Sequence, residues 1–173
     1  MTFAPIPSGI RIGHISLGVS DLDRAVRFYR DVLGFDLRHA DKAFAYFSAS
    51  DYYHTIVLKA VESAGDAALS ERSIGLQHFA LNYPERRDLA AALTRVLDHG
   101  WSIDAAADYG THEAIYLRDP DCNGIELGWD GDPTAWSRDS VSFDRKSLNF
   151  AGLLAELDDP STAQYLPELA TYT

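Results

Sequence analysis

A single cysteine, Cys122, stands in the 173 residues of the chain, so no internal disulfide can form and a disulfide-stapled fold is excluded. Basic residues are also scarce. Fifteen Lys and Arg against 26 Asp and Glu leave a net charge of −11 and a pI near 4.8. That balance repels phosphate backbones and anionic lipid, which argues against nucleic-acid and membrane-surface partners. No apolar run approaches the roughly 18 residues of a membrane helix, and the first nine residues hold neither the basic nor the apolar segment of a signal peptide. The expectation is a cytoplasmic protein. What the chain does have is a 46% hydrophobic content, enough for a substantial core, and six histidines whose positions carry the chemistry.

The chain repeats itself. Ile12-Gly13-His14-Ile15-Ser16-Leu17 leads into a helical stretch over 21–33 and then Gly34-Phe35; Leu76-Gln77-His78-Phe79-Ala80-Leu81 leads into one over about 84–97 and then Gly100-Trp101. In the first stretch Leu22, Ala25, Val26, Tyr29, Val32 and Leu33 recur at three- and four-residue steps, with Ser20 placed to cap the helix and Gly34 to end it. In the second, Leu89, Leu93, Val96 and Leu97 form the stripe, with Asn82 as cap and Pro84 in the first turn. Each helix is followed by three runs of strand character: 35–38, 43–48 and 52–59, then 101–105, 114–117 and 124–129. The spacing thus predicts an α+β fold of two βαβββ modules, about 10–60 and 74–130, joined by the small polar linker 61–73. The last stretch, 131–173, is read as a wrapping tail of the same domain, with one short helical candidate over 147–157.

Residues two apart on a strand face the same way, so strand position decides which side chains can share a site. His14 and His78 hold matching places at the first strands of the two modules, and pseudo-twofold pairing of the modules would bring them together across a joined sheet. Glu126 lies between Ile125 and Leu127 on the final strand, where a carboxylate needs a partner because burying it alone is costly. Two imidazoles and one carboxylate form the facial triad of non-haem Fe(II) oxygenases.

These residues carry a family resemblance. The segments Gly13-His14-Ile15-Ser16-Leu17, 21–29 (Asp-Leu-Asp-Arg-Ala-Val-Arg-Phe-Tyr), Leu33-Gly34-Phe35, 116–121 (Tyr-Leu-Arg-Asp-Pro-Asp) and 123–127 (Asn-Gly-Ile-Glu-Leu) make the chain, over about residues 10–130, resemble the vicinal oxygen chelate superfamily. Within it, the chain is most similar to one-domain relatives of type I extradiol ring-cleavage dioxygenases. The resemblance implies a cup-shaped mixed sheet with helices outside, and metal ligands at His14, His78 and Glu126. It implies Fe(II), with Mn(II) as the alternative, a small aromatic diol and O₂ as substrates, and a homo-oligomer. By the same resemblance His54 takes the acid–base place, a task suited to an imidazole that titrates near neutrality, and Tyr116, ten residues before Glu126, takes the substrate-facing place. His112, on the same strand face as Tyr116, is a further pocket donor. Two departures stand out: Tyr109 occupies a position where related sequences tend to carry histidine, leaving Tyr109 or His112 as its substitute, and Cys122 sits where a glycine is common.

Other branches of the superfamily fit less well. Glyoxalase-like isomerases and lyases use a fourth protein ligand, Glu or Gln, on the last strand of the first module; the face carrying His54, Ile56 and Leu58 has no carboxylate. Fosfomycin-type transferases want a cationic pocket. A non-catalytic small-molecule binder of the same fold remains the other alternative.

Overall fold

A computed structural model describes residues 6–62, 74–135 and 145–172. Two βαβββ modules are present, as expected. The first comprises β1 (Ile15–Val19), α1 (Leu22–Arg27) continuing into a π-helical turn (Phe28–Val32), β2 (Asp36–Ala40), β3 (Phe44–Ser48) and β4 (Ile56–Ala60). The second comprises β5 (Phe79–Asn82), α2 (Arg86–Asp98), β6 (Ala105–Asp108), β7 (His112–Arg118) and β8 (Gly124–Asp130). Each forms a four-stranded mixed sheet of identical order, β1-β4-β3-β2 and β5-β8-β7-β6, in which the outer first strand runs parallel to the last. The shared order is independent support for duplication. Among the described residues no backbone ladder joins the two sheets, so the joined sheet expected from the sequence is two sheets here.

Alternation sorts the side chains of each sheet. Leu17, Val19, Ala45, Phe47, Ile56 and Leu58 face Ala25, Phe28 and Tyr29 of the first helix; Phe79, Ile115, Leu117, Ile125 and Leu127 face Leu89, Leu93 and Val96 of α2. All belong to one continuous core, which burial on the order of 25 cal/mol per Å² stabilises. Glu126, Tyr116 and His112 therefore lie on the sheet face opposite α2. Phe28 also packs on Trp101 of the other module, ring centroids 4.7 Å apart.

The helix caps differ from the sequence reading. Asp21, not Ser20, caps α1 through its carboxylate and Arg24 N–H (2.9 Å), because Ser20 is engaged elsewhere: its backbone N–H donates to Asp121 at 3.1 Å. Asn82 does not cap α2 but donates to Asp130, and the helix starts two residues after Pro84, with Glu85 N–H donating to Asp88 at 3.3 Å. Gly34 ends the first helix at φ +83°, a left-handed conformation glycine adopts without a Cβ penalty. The linker expected over 61–73 and Trp136 of the tail lie largely or wholly outside the described residues.

The bend 119–124 fastens the modules together. Buried Asp119 accepts from Asp121 N–H (2.9 Å), Asn123 N–H (2.8 Å), the Asn123 amide (2.9 Å) and, from the other module, the Tyr29 hydroxyl (3.1 Å). Asp121 accepts from Ser20 and from Arg24 (3.0 Å). Cys122, in the glycine-favoured place, has φ +67°, which explains why glycine suits that position. Burial raises the Asp119 pKa above 3.8, against the lowering effect of its hydrogen bonds, and burial together with the Asp119 charge raises that of Tyr29. A raised carboxyl pKa contributes stability that is complete below the unfolded value near 3.8 and is lost as pH rises through the folded one. The stability advantage of the native chain over Asp119→Asn is therefore expected to shrink as pH rises from about 4 to 7, measured by denaturation at each pH. An advantage that grows over that window contradicts the assignment.

The tail packs on α2. Its helices α3 (Phe150–Leu154) and α4 (Leu166–Leu169) bury Phe150, Leu153, Leu154 and Leu169, and Asn149 caps α3. Arg86 ties it down, pairing with Glu113 of β7 through Nε and Nη2 (2.9 and 3.0 Å), and with Glu156 through Nη1 (2.8 Å). Backbone bonds between Lys146 and Asp108, 2.8 and 3.0 Å, close the β6 edge. No helix among the described residues is long and apolar enough to cross a membrane.

Candidate active site

His14 and His78 each stand one residue before the first strand of their module, the equivalence expected from the repeat. The second module supplies the tighter cluster. Parallel pairing of β5 with β8 sets Phe79 beside Ile125 and Ala80 beside Glu126, bringing His78 to the open face next to the carboxylate. His78 Nε2 lies 2.9 Å from Glu126 Oε2. The Glu126 side chain is 12% exposed and that of His78 42% exposed, so the buried acid is met by a partner open to solvent. Antiparallel pairing of β7 with β8 puts Tyr116 directly opposite Glu126, with its ring 5.4 Å from that of His78. Burial first, then the hydrogen bond shared with Tyr109 and the Glu126 charge, raise the Tyr116 pKa well above 10. The phenol is therefore held protonated.

Gly124 makes this arrangement possible. A Cβ there would overlap the Gln77 carbonyl oxygen and lie 3.2 Å from His78 Cβ, so only glycine lets the strand entering β5 approach β8 this closely.

The first module carries the other imidazoles. His14 is exposed and its ring lies 4.8 Å from that of His54. His54 precedes β4 rather than lying within it, and Ile56 and Leu58 turn into the core. The shared face expected for His54, Ile56 and Leu58 is thus not formed, because the regular strand starts only at Ile56. The His54 ring is instead enclosed by aromatic neighbours: Tyr46 at 5.8 Å, Tyr52 at 6.1 Å and Tyr53 at 5.5 Å. Its Nδ1 is buried without a hydrogen-bond partner, an uncommon state for a polar atom.

His112 opens β7, and its ring stacks on Tyr109 at 4.6 Å and 16°. Tyr109 in turn reaches Tyr116, hydroxyl to hydroxyl, at 3.3 Å. His39 is exposed on β2, and His99 caps the end of α2 through Nδ1 and the Arg95 carbonyl (2.8 Å). Among the described residues no three His, Cys, Asp or Glu side chains lie close enough to hold a metal ion; the structure brings His78 to Glu126 and His14 to His54, as two pairs.

The model of the Glyoxalase/Bleomycin resistance protein/Dioxygenase superfamily matches residues 11–127. The chain belongs to this superfamily. Among curated proteins, this superfamily member is 36% identical over 152 residues to a catechol-2,3-dioxygenase of Bacillus subtilis (strain 168), covering 86% of this chain and 52% of that one. It is 27% identical over 117 residues to biphenyl-2,3-diol 1,2-dioxygenase 3 of Rhodococcus globerulus, covering 68% and 62%. The chain thus spans between half and two thirds of the length of these curated relatives. A solved glyoxylase/bleomycin resistance protein/dioxygenase domain from Frankia sp. EAN1pec superposes with a TM-score of 0.62 at 23% identity, covering 72% of this chain and all of that one. That likeness concerns the fold. The superfamily holds several chemistries, so the reaction must be argued from the site.

Proposed function

We propose that the chain is a metal-dependent extradiol dioxygenase, cleaving a small aromatic diol with O₂, with His14, His78 and Glu126 holding the metal. The observation that carries the reading is the His78–Glu126 pair at 2.9 Å with the Tyr116 phenol beside it. Support comes from similarity to two relatives named as dioxygenases of catechol and biphenyl-2,3-diol. The donor types fit the metal: two neutral imidazoles and one carboxylate suit Fe(II), with Mn(II) as the alternative, and one imidazole and the carboxylate are already adjacent. When bound, the metal acts as a Lewis acid on the diol and as a template for both reactants.

The remaining groups act by their own chemistry. His54, with an unpartnered buried Nδ1 beside His14, is the base that accepts a proton from the substrate hydroxyl and later returns it. Tyr116, directly opposite Glu126, donates a hydrogen bond from its phenol to substrate oxygen. The net reaction breaks one ring C–C bond beside the diol and places both atoms of O₂ in the product, so no external reductant is required.

The test is anaerobic reconstitution with Fe(II), followed by oxygenated buffer containing catechol, 3-methylcatechol or 2,3-dihydroxybiphenyl. A yellow ring-fission product with at least one diol is expected. Metal-loaded protein that leaves a broad diol panel intact, or that instead turns over a hemithioacetal with Ni(II) or Zn(II), sinks the proposal in favour of a glyoxalase-like enzyme or a binder.

A further inference from the structure

Tyr109 is a residue whose placement the ring-cleavage reading does not use. It lies in the tight turn between β6 and β7, where its N–H donates to the His112 carbonyl (2.9 Å), Gly110 takes φ +77°, and the Gly110 N–H donates to Asp108 (2.7 Å). The Tyr109 ring is clamped on one side by the parallel His112 ring, itself anchored by Thr111 Oγ1 to Nδ1 at 3.0 Å. Asp108, the next residue back, is pinned to the tail by its two backbone bonds with Lys146. A side chain so fixed points its hydroxyl at one target, the Tyr116 hydroxyl at 3.3 Å.

Tyr116 stands directly opposite Glu126 in the β7–β8 register, so its phenol shares the open sheet face with that carboxylate while its hydroxyl meets that of Tyr109. Either hydroxyl can donate in the Tyr109–Tyr116 contact, and in both directions the bond restrains where the Tyr116 phenol points. With a metal that Glu126 would help to hold, the Tyr109 hydroxyl would still restrain where the Tyr116 phenol points.

We infer that Tyr109 is a positioning residue: its hydroxyl, held against the His112 ring, aims the Tyr116 phenol at the substrate. This rests on the ring-cleavage reading above. It assigns the place usually taken by a histidine to Tyr109 and makes His112 its stacking platform, not a donor into the pocket.

The test uses Tyr109→Phe, which keeps the ring on His112 and removes the hydroxyl, alongside Tyr116→Phe and the double variant. With Fe(II)-loaded protein and 2,3-dihydroxybiphenyl, Tyr109→Phe is expected to lower kcat by about tenfold or more, since misplacing a reacting group by about 1 Å can cost 10²-fold. KM is expected to change little, and the double variant to be no slower than Tyr116→Phe. Wild-type kcat in Tyr109→Phe, or losses that multiply in the double variant, overturn the inference. A second readout needs no turnover: denaturation midpoints of the metal-free proteins, where the two substitutions should be non-additive. If the wild-type protein cleaves no diol while that coupling persists, the ring-cleavage reading fails and the Tyr109–Tyr116 connection stands. If diol is cleaved and the coupling is absent, the positioning role falls alone.

Discussion

Glu126→Gln is expected to lower Fe(II) affinity at least about a hundredfold, since even partners behind metal ligands cost 10–100-fold when removed, while leaving the metal-free protein as stable as before. The two halves of that expectation have different physical origins. Glu126 lies on β8 between Ile125 and Leu127, both fully buried, and its carboxylate is met by the His78 imidazole at 2.9 Å, with Tyr116 directly opposite on β7. A carboxylate in that position is costly for folding. Glutamine keeps the length, retains a carbonyl acceptor and carries no charge, so the change in stability is expected within about 1 kcal/mol of zero, in either direction. A residue maintained for structure would show the opposite pattern, a loss of stability with no effect on metal. Fe(II) titration under anaerobic conditions, paired with urea denaturation of the apo form, separates the two.

Gly124→Ala is expected to be the most damaging substitution that touches no functional group. An alanine Cβ at this point overlaps the Gln77 carbonyl oxygen and crowds His78 Cβ at 3.2 Å, and the obstacle is backbone, which cannot swing aside as a side-chain tip would. Overpacking against a fixed neighbour costs roughly 1–3 kcal/mol, and the expected loss is at the upper end. The strand entering β5 must retreat from β8, taking His78 with it and opening the 2.9 Å contact with Glu126. Metal affinity should fall with stability, by about tenfold or more. Thermal denaturation with and without Fe(II) reads both effects; a variant with unchanged midpoint and affinity would show that the close approach has no bearing on the site.

The sequence made the modules legible because duplication repeats one hydrophobic pattern, and the two sheets have the same strand order. The equivalence of His14 and His78 was readable for the same reason: each precedes a strand of the same role. Tyr116 and Glu126 were readable as neighbours in the site only through family resemblance, yet their direct opposition is a register fact of β7 and β8. Contacts distant in sequence were not legible. Ser20 has the chemistry of a helix cap, but Asp121, about a hundred residues away, takes its hydrogen bonds and leaves the cap to Asp21. Asn82 is drawn off in the same way by Asp130. His54 was readable as a candidate, while its enclosure by Tyr46, Tyr52 and Tyr53 depends on where β4 becomes regular, which apolar alternation in 52–59 does not mark. Tyr109 was visible only as a departure from a motif; its role appears once the turn folds its hydroxyl onto Tyr116.

The metal centre is the central claim, and Fe(II) located in crystals grown without oxygen tests it most directly. Anomalous diffraction at the iron edge should give one strong peak per chain, coordinated by His14, His78 and Glu126, with His54 and Tyr116 beside it and unligated. A peak bound by other side chains, or none at saturating Fe(II), would contradict the account.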